Sequence, residues 1–220
     1  MLILLGTLTW RQAHIYASSE TLWRDTLVKN PSSWMAHNNL GNVLFHQGKL
    51  DEAIAEYTET LRLKPDHMRA HMNLANALAR QERFDEAIIH YGELLRSLPD
   101  FPDAHHSLGA ALAAQGRLDE AAAHYEQAVR LQPDNARWHY DLAYVLAEQR
   151  RGDEAIFHFR EAARIMPEFA EAHHNLAVEL YLKGDYAGAW EAIHLCRKCG
   201  ASPNPAFLRA LSERMPDPGY

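Results

Sequence analysis

Apolar residues return along this chain at a fixed interval of 34 residues. Leucine stands at Leu40, Leu74, Leu108, Leu142 and Leu176, and the next residue is always small: Gly41, Ala75, Gly109, Ala143, Ala177. A second leucine follows at Leu44, Leu78, Leu112, Leu146 and Leu180, on the same helical face. Alanine then recurs as Ala53, Ala87, Ala121, Ala155 and Ala189, and a large residue follows it as Tyr57, Tyr91, Tyr125, Phe159 and Ile193. Each round predicts two amphipathic helices. The small residue lets a neighbouring helix approach, and the ring fills the space beside the alanine. Gly48, Gly116 and Gly184 mark the turn between the helices. Asp51-Glu52, Asp85-Glu86, Asp119-Glu120 and Asp153-Glu154 put acid at the start of the second helix, where the helix dipole favours it. Pro65, Pro99, Pro133 and Pro167 close four of the five rounds, because proline cannot continue a helix.

The pattern divides the chain into five repeats, 34–67, 68–101, 102–135, 136–169 and 170–203. Residues 16–33 read as a degenerate half repeat ending at Pro31, and 204–214 as a capping helix with one apolar face. A stack of repeats buries each face only against a neighbour, so its ends need covers. Residues 215–220 hold two prolines and a glycine and read as a frayed tail. Residues 1–15 are an apolar segment with two readings. Met1–Trp10 is too short to span a bilayer and lacks the basic start of a signal peptide. It is either a terminal tail or the last part of a membrane helix, with Trp10 and Arg11 at the interface.

These repeats resemble the tetratricopeptide-repeat family over residues 34–203. The resemblance implies an all-α fold, a right-handed superhelical solenoid of antiparallel helix pairs, acting as a scaffold or adaptor for protein binding. There are two departures. Histidine replaces the family's common first-helix aromatic in every repeat, as His37, His71, His105, His139 and His173. The last repeat has Ala187-Gly188 in place of Asp-Glu, and its closing proline moves to Pro203.

Composition narrows the function. Hydrophobic residues make up 47% and charged residues 23%, which suits a folded chain. The net charge is −7 with no Lys/Arg-rich run, so nucleic acid is not expected as a partner. No phosphate-cradling, metalloprotease or nucleophile-elbow string occurs, so neither catalysis nor a cofactor is expected. The phased histidines read as packing residues between successive first helices, since helix spacing is too wide for them to share a metal. Cys196-Arg197-Lys198-Cys199 lies near a helix C-terminus, where the dipole does not activate a thiol, and reads as buried structural cysteines.

The candidate binding residues lie on the first helices. In the family these helices line a concave groove that holds extended peptides. The matching positions here include Asn38, Asn39, Asn42, Asn73 and Asn76, whose amides can donate and accept and so can bond a peptide backbone. Asn39, Asn73 and Asn175 are similar to the asparagine ladder of O-GlcNAc transferase repeats, which Ser107 and Asp141 interrupt. His106, Tyr140, Tyr144, His174 and Tyr181 form an aromatic stretch farther along. The competing reading makes the asparagines plain surface residues. A clamp for C-terminal carboxylates is not expected, because Asp103 and Ser107 stand where cations would be needed.

Two functions follow. The first is a scaffold holding a protein or peptide segment in the groove. The second, from a weaker likeness at Trp10-Arg11, Leu22-Trp23 and Asn30-Pro31 to O-mannosyltransferase-like membrane proteins, is the accessory C-terminal part of a membrane-bound glycosyltransferase. The chain would be cytoplasmic if free-standing and membrane-associated on the second reading.

Overall fold

The computed structural model describes residues 19–219. The apolar segment Met1–Trp10 lies outside the described residues, and so does its reading as a membrane-helix end. The described residues form twelve helices and no strand. None of these helices is long and apolar enough to cross a membrane.

The chain divides into two compact units at Pro99/Asp100. In the first, α1 (Ser19–Lys29) packs on the hairpin of α2 (Trp34–His46) and α3 (Leu50–Leu63), which packs on the hairpin of α4 (Met68–Arg80) and α5 (Phe84–Ser97). In the second, three hairpins stack in chain order: α6 (Pro102–Ala114) with α7 (Leu118–Leu131), α8 (Ala136–Glu148) with α9 (Gly152–Ile165), and α10 (Ala170–Lys183) with α11 (Tyr186–Lys198). The cap α12 (Pro205–Arg214) lies on α11.

The small residues act through the rings that cover them. A Cβ on Gly41 would come within 2.7 Å of the Tyr57 ring, and one on Gly109 within 2.9 Å of Tyr125. Leu40, Leu44, Ala53 and Tyr57 are all buried in the first unit, as are Leu142, Leu146, Ala155 and Phe159 in the second. The turn inside each hairpin needs one left-handed residue. Gly48, Gly116 and Gly184 supply it with φ of 76°, 72° and 88°. Where the sequence has no glycine, Glu82 (φ 60°) and Arg150 (φ 61°) are forced into the same region.

The phased histidines do not pack between successive first helices as expected. The first four reach the second helix of their own repeat, 19 residues on. His37 Nδ1 meets Glu56 at 2.6 Å. His71 meets His90 at 3.2 Å, His105 meets His124 at 3.0 Å, and His139 meets His158 at 2.9 Å, all through Nδ1 atoms. The reason is local. The Nε2 atoms of His71 and His139 lie 2.9 and 3.0 Å from the carbonyls of Pro65 and Pro133. A carbonyl only accepts, so each Nε2 carries the proton and donates. Nδ1 of the neutral ring is then an acceptor, and the second-helix histidine donates to it. Burial, and then the facing histidine, hold His90, His124 and His158 below the usual histidine range, His158 at about 4. In the last repeat Ala192 occupies the partner position, and the buried Nδ1 of His173 has no hydrogen-bond partner.

The cysteine reading holds for one residue of the pair. Cys196 is buried, and burial pushes its thiol up. Cys199 is half-buried, and its Sγ donates to the Pro167 carbonyl at 3.4 Å. The tail read as frayed is tied to α11. Trp190 Nε1 donates to the Met215 carbonyl at 2.9 Å, and Asp217 takes His194 at 3.0 Å and Arg197 at 3.4 Å.

Candidate functional site

In the first unit the named asparagines fall on neighbouring turns of α2 and α4, and two of them meet. Asn42 Oδ1 accepts from the Tyr57 hydroxyl at 2.8 Å and from Asn73 Nδ2 at 2.9 Å. Asn76 Oδ1 accepts from the Tyr91 hydroxyl at 2.7 Å. Burial raises the Tyr57 phenol, so it stays protonated and remains a donor. Asn42 and Asn76 therefore hold core tyrosines in place, a structural task the sequence reading did not assign to them. Asn39 is half-buried and makes no side-chain hydrogen bond. Asn38 is 8% exposed, and its Oδ1 has no partner. The Oδ1 of Asn73 and the Nδ2 of Asn76 are also unused. The surface thus keeps amide donors and acceptors in excess of what the fold consumes.

In the second unit the candidates separate into those that share a cavity and those that do not. Asn175 on α10 donates through Nδ2 to the Tyr140 hydroxyl of α8 at 3.0 Å. Tyr140 packs between Phe159 and Phe169, and burial raises its phenol. Tyr140, His174 and Asn175 line one open cavity of about 540 Å³, together with the segment from Ala201 to Pro205. His106 stands apart. It stacks on Trp138 at 5.3 Å and meets Asp141 at 2.9 Å. Asp141 also accepts from Arg137 at 3.1 Å, so the residue that interrupts the asparagine ladder orders a small charged cluster. Tyr181 packs on Phe207 of the cap and on Tyr186. Tyr144 is 51% exposed.

Among the cavity residues that sequence reasoning missed are three with polar side chains, Glu171, Ser202 and Asn204. Glu171 occupies the second position of its repeat, one turn before the aromatic and asparagine positions, and could have been found from that register. Asn204 carries the Asn-Pro signature of a helix start, and its side chain caps α12 by accepting from Ala206 N–H at 2.8 Å. Nothing in the local sequence shows that this linker turns back over α10. Among the described residues no group of three or more His, Cys, Asp or Glu is arranged to hold a metal ion.

Comparison with known proteins follows the same architecture. A tetratricopeptide-repeat family model matches residues 3–66 and 47–104, and a second model, described as TPR repeat, matches 109–149. No curated protein matches the chain. Among solved structures, YrrB, described as a TPR protein with an unusual peptide-binding site, superposes with a TM-score of 0.73 at 22% identity, covering 87% of this chain and 97% of that one. MamA (41-end) from Desulfovibrio magneticus RS-1 gives 0.72 at 20% identity, over 76% and 94%. Pseudomonas aeruginosa pilF gives 0.70 at 22%, over 84% and 85%. At these identities the likeness carries the fold alone.

Proposed function

Because this chain belongs to the tetratricopeptide-repeat family, whose fold supports protein–protein interaction scaffolds, we propose that it works by holding an extended peptide or protein segment along its first helices. The observation that carries the reading is the surplus of asparagine amides on α2 and α4. A side-chain amide buried without its full complement of bonds is costly. Asn39 is half-buried and makes no side-chain bond, and Asn73, also half-buried, gives Nδ2 to Asn42 and keeps its Oδ1 open. An extended backbone offers alternating donors and acceptors that would satisfy both, whatever its side chains. In the second unit Asn175 and Tyr140 offer the same kind of contact beside a cavity large enough for a side chain.

The test is affinity for a peptide selected from a random dodecamer library. Asn39→Ala should weaken that peptide about fivefold, the worth of one neutral hydrogen bond. The melting transition should not move, because the Asn39 side chain bonds nothing in the fold. Unchanged affinity would remove the first helices from the binding surface.

A further inference from the structure

The cavity of the second unit has a chemistry of its own. The polar groups around it are the Glu171 carboxylate, the Asn175 and Asn204 amides, the Tyr140 hydroxyl, Ser202, the Cys196 thiol and the His174 imidazole, so its one carboxylate faces no side chain that is always cationic. One hydrogen of the Asn175 Nδ2 is used on Tyr140, and its carbonyl oxygen is the acceptor left open to a donor. Neither lysine nor arginine lines the cavity. The cation closest to Tyr140, Arg137, lies 5.3 Å over its ring and is committed to Asp141. Glu171 is exposed and has no ion-pair partner among the described residues. Ala170, Ala201 and Pro203 supply apolar walls between these acceptors.

The charge of the whole unit points the same way. Residues 100–220 contain 18 of the chain's 29 acids and 12 of its 22 bases, so six of the seven net negative charges lie there. We infer that this cavity receives the side chain of an arginine or lysine from a basic partner segment. The aliphatic stem would lie against the alanine and proline walls and the cationic head would meet Glu171 and the Asn175 carbonyl. Long cationic side chains combine an apolar stem with a charged donor head in this way, and arginine matches a carboxylate with two parallel bonds. The inference rests on the peptide-binding reading above and adds the class of partner to it. Acidic partners would meet uncompensated repulsion from the same groups.

The experiment is selection of a random dodecapeptide phage library on the full chain, on Glu171→Gln and on Glu126→Gln. Glu126 is exposed on α7, 3.5 Å from Arg151, and its replacement removes the same charge away from the cavity. The expected result is at least threefold enrichment of arginine and lysine on the full chain and on Glu126→Gln. The selected peptide should bind about tenfold more weakly to Glu171→Gln and within twofold to Glu126→Gln, with affinity falling as salt rises. Captured peptides without cationic enrichment, or a Glu171→Gln variant no weaker than Glu126→Gln, would overturn the basic-partner inference and leave the peptide-binding reading standing. Failure to capture any peptide would overturn both.

Discussion

Glu82 and Arg150 hold a backbone conformation that the equivalent residues Gly48, Gly116 and Gly184 adopt without strain. A non-glycine residue in the left-handed region costs about 1 kcal/mol or more. Arg150→Gly should therefore raise the stability of its hairpin by about 1 kcal/mol in urea unfolding, and Gly116→Ala should lower it by a similar amount. A loss on Arg150→Gly would mean that contacts of the arginine outweigh the strain. The histidine pairs make a prediction about pH. His158 is faced by His139, with Glu154, Glu161 and Arg151 nearby, and its folded value of about 4 lies below the ordinary 6.5. Between those values the unfolded chain binds more protons than the native one. The contribution of His158 to stability should be whole above pH 6.5, fall as the pH drops through the window, and level off below about 4. His158→Gln keeps a donor for His139 without titrating, so its stability should decline less between pH 6.5 and 4. Parallel curves would contradict the pairing. The pairs were legible in part. The 34-residue phase of His90, His124 and His158 is as regular as that of the first-helix histidines. What the phase does not state is which helix each ring turns toward, because the Pro65 and Pro133 carbonyls that orient the rings are main-chain groups.

At the scale of helices, the hydrophobic period located both members of every hairpin, since leucine, alanine and ring positions alternate on faces that only a helix presents together. Ends were less legible. The sequence showed the apolar face of α12, and Leu211 on it is fully buried. Leu211→Ala should cost about 2–4 kcal/mol, the range for emptying a buried leucine site, and should be read from the unfolding midpoint. The tie between Trp190 and the Met215 carbonyl was not legible, because a backbone acceptor leaves no mark in composition. The asparagines also divide at this scale. Asn42→Ala removes the acceptor of the Tyr57 hydroxyl and should cost about 1–2 kcal/mol. Asn39→Ala should leave stability unchanged, since its side chain bonds nothing in the fold. Equal melting shifts for the two variants would contradict this division of labour.

For the whole molecule, family and fold were legible because packing repeats five times in register, and each repeat restates the same physical constraint. The site was legible only as a set of candidate positions. Tyr140, His174 and Asn175 share a cavity, whereas His106 is held by Asp141 and Tyr181 by Phe207. Surface residues face no packing constraint that would repeat with the period, so their partners depend on three-dimensional neighbours that periodicity does not encode. The outer faces of second helices also expose apolar residues, Ile89 at 61% in the first unit and Phe157 at 57% in the second, and these form the physical rival to the asparagine-lined surfaces. The measurement that separates them is a heteronuclear NMR titration of the chain with a library-selected peptide. With a peptide held on the first helices, the side-chain amide signals of Asn39 and Asn73 should shift with the backbone signals of α2 and α4, or that of Asn175 with the backbone signals of α10. Shifts confined to α5 and α9 around Ile89 and Phe157 would contradict that placement.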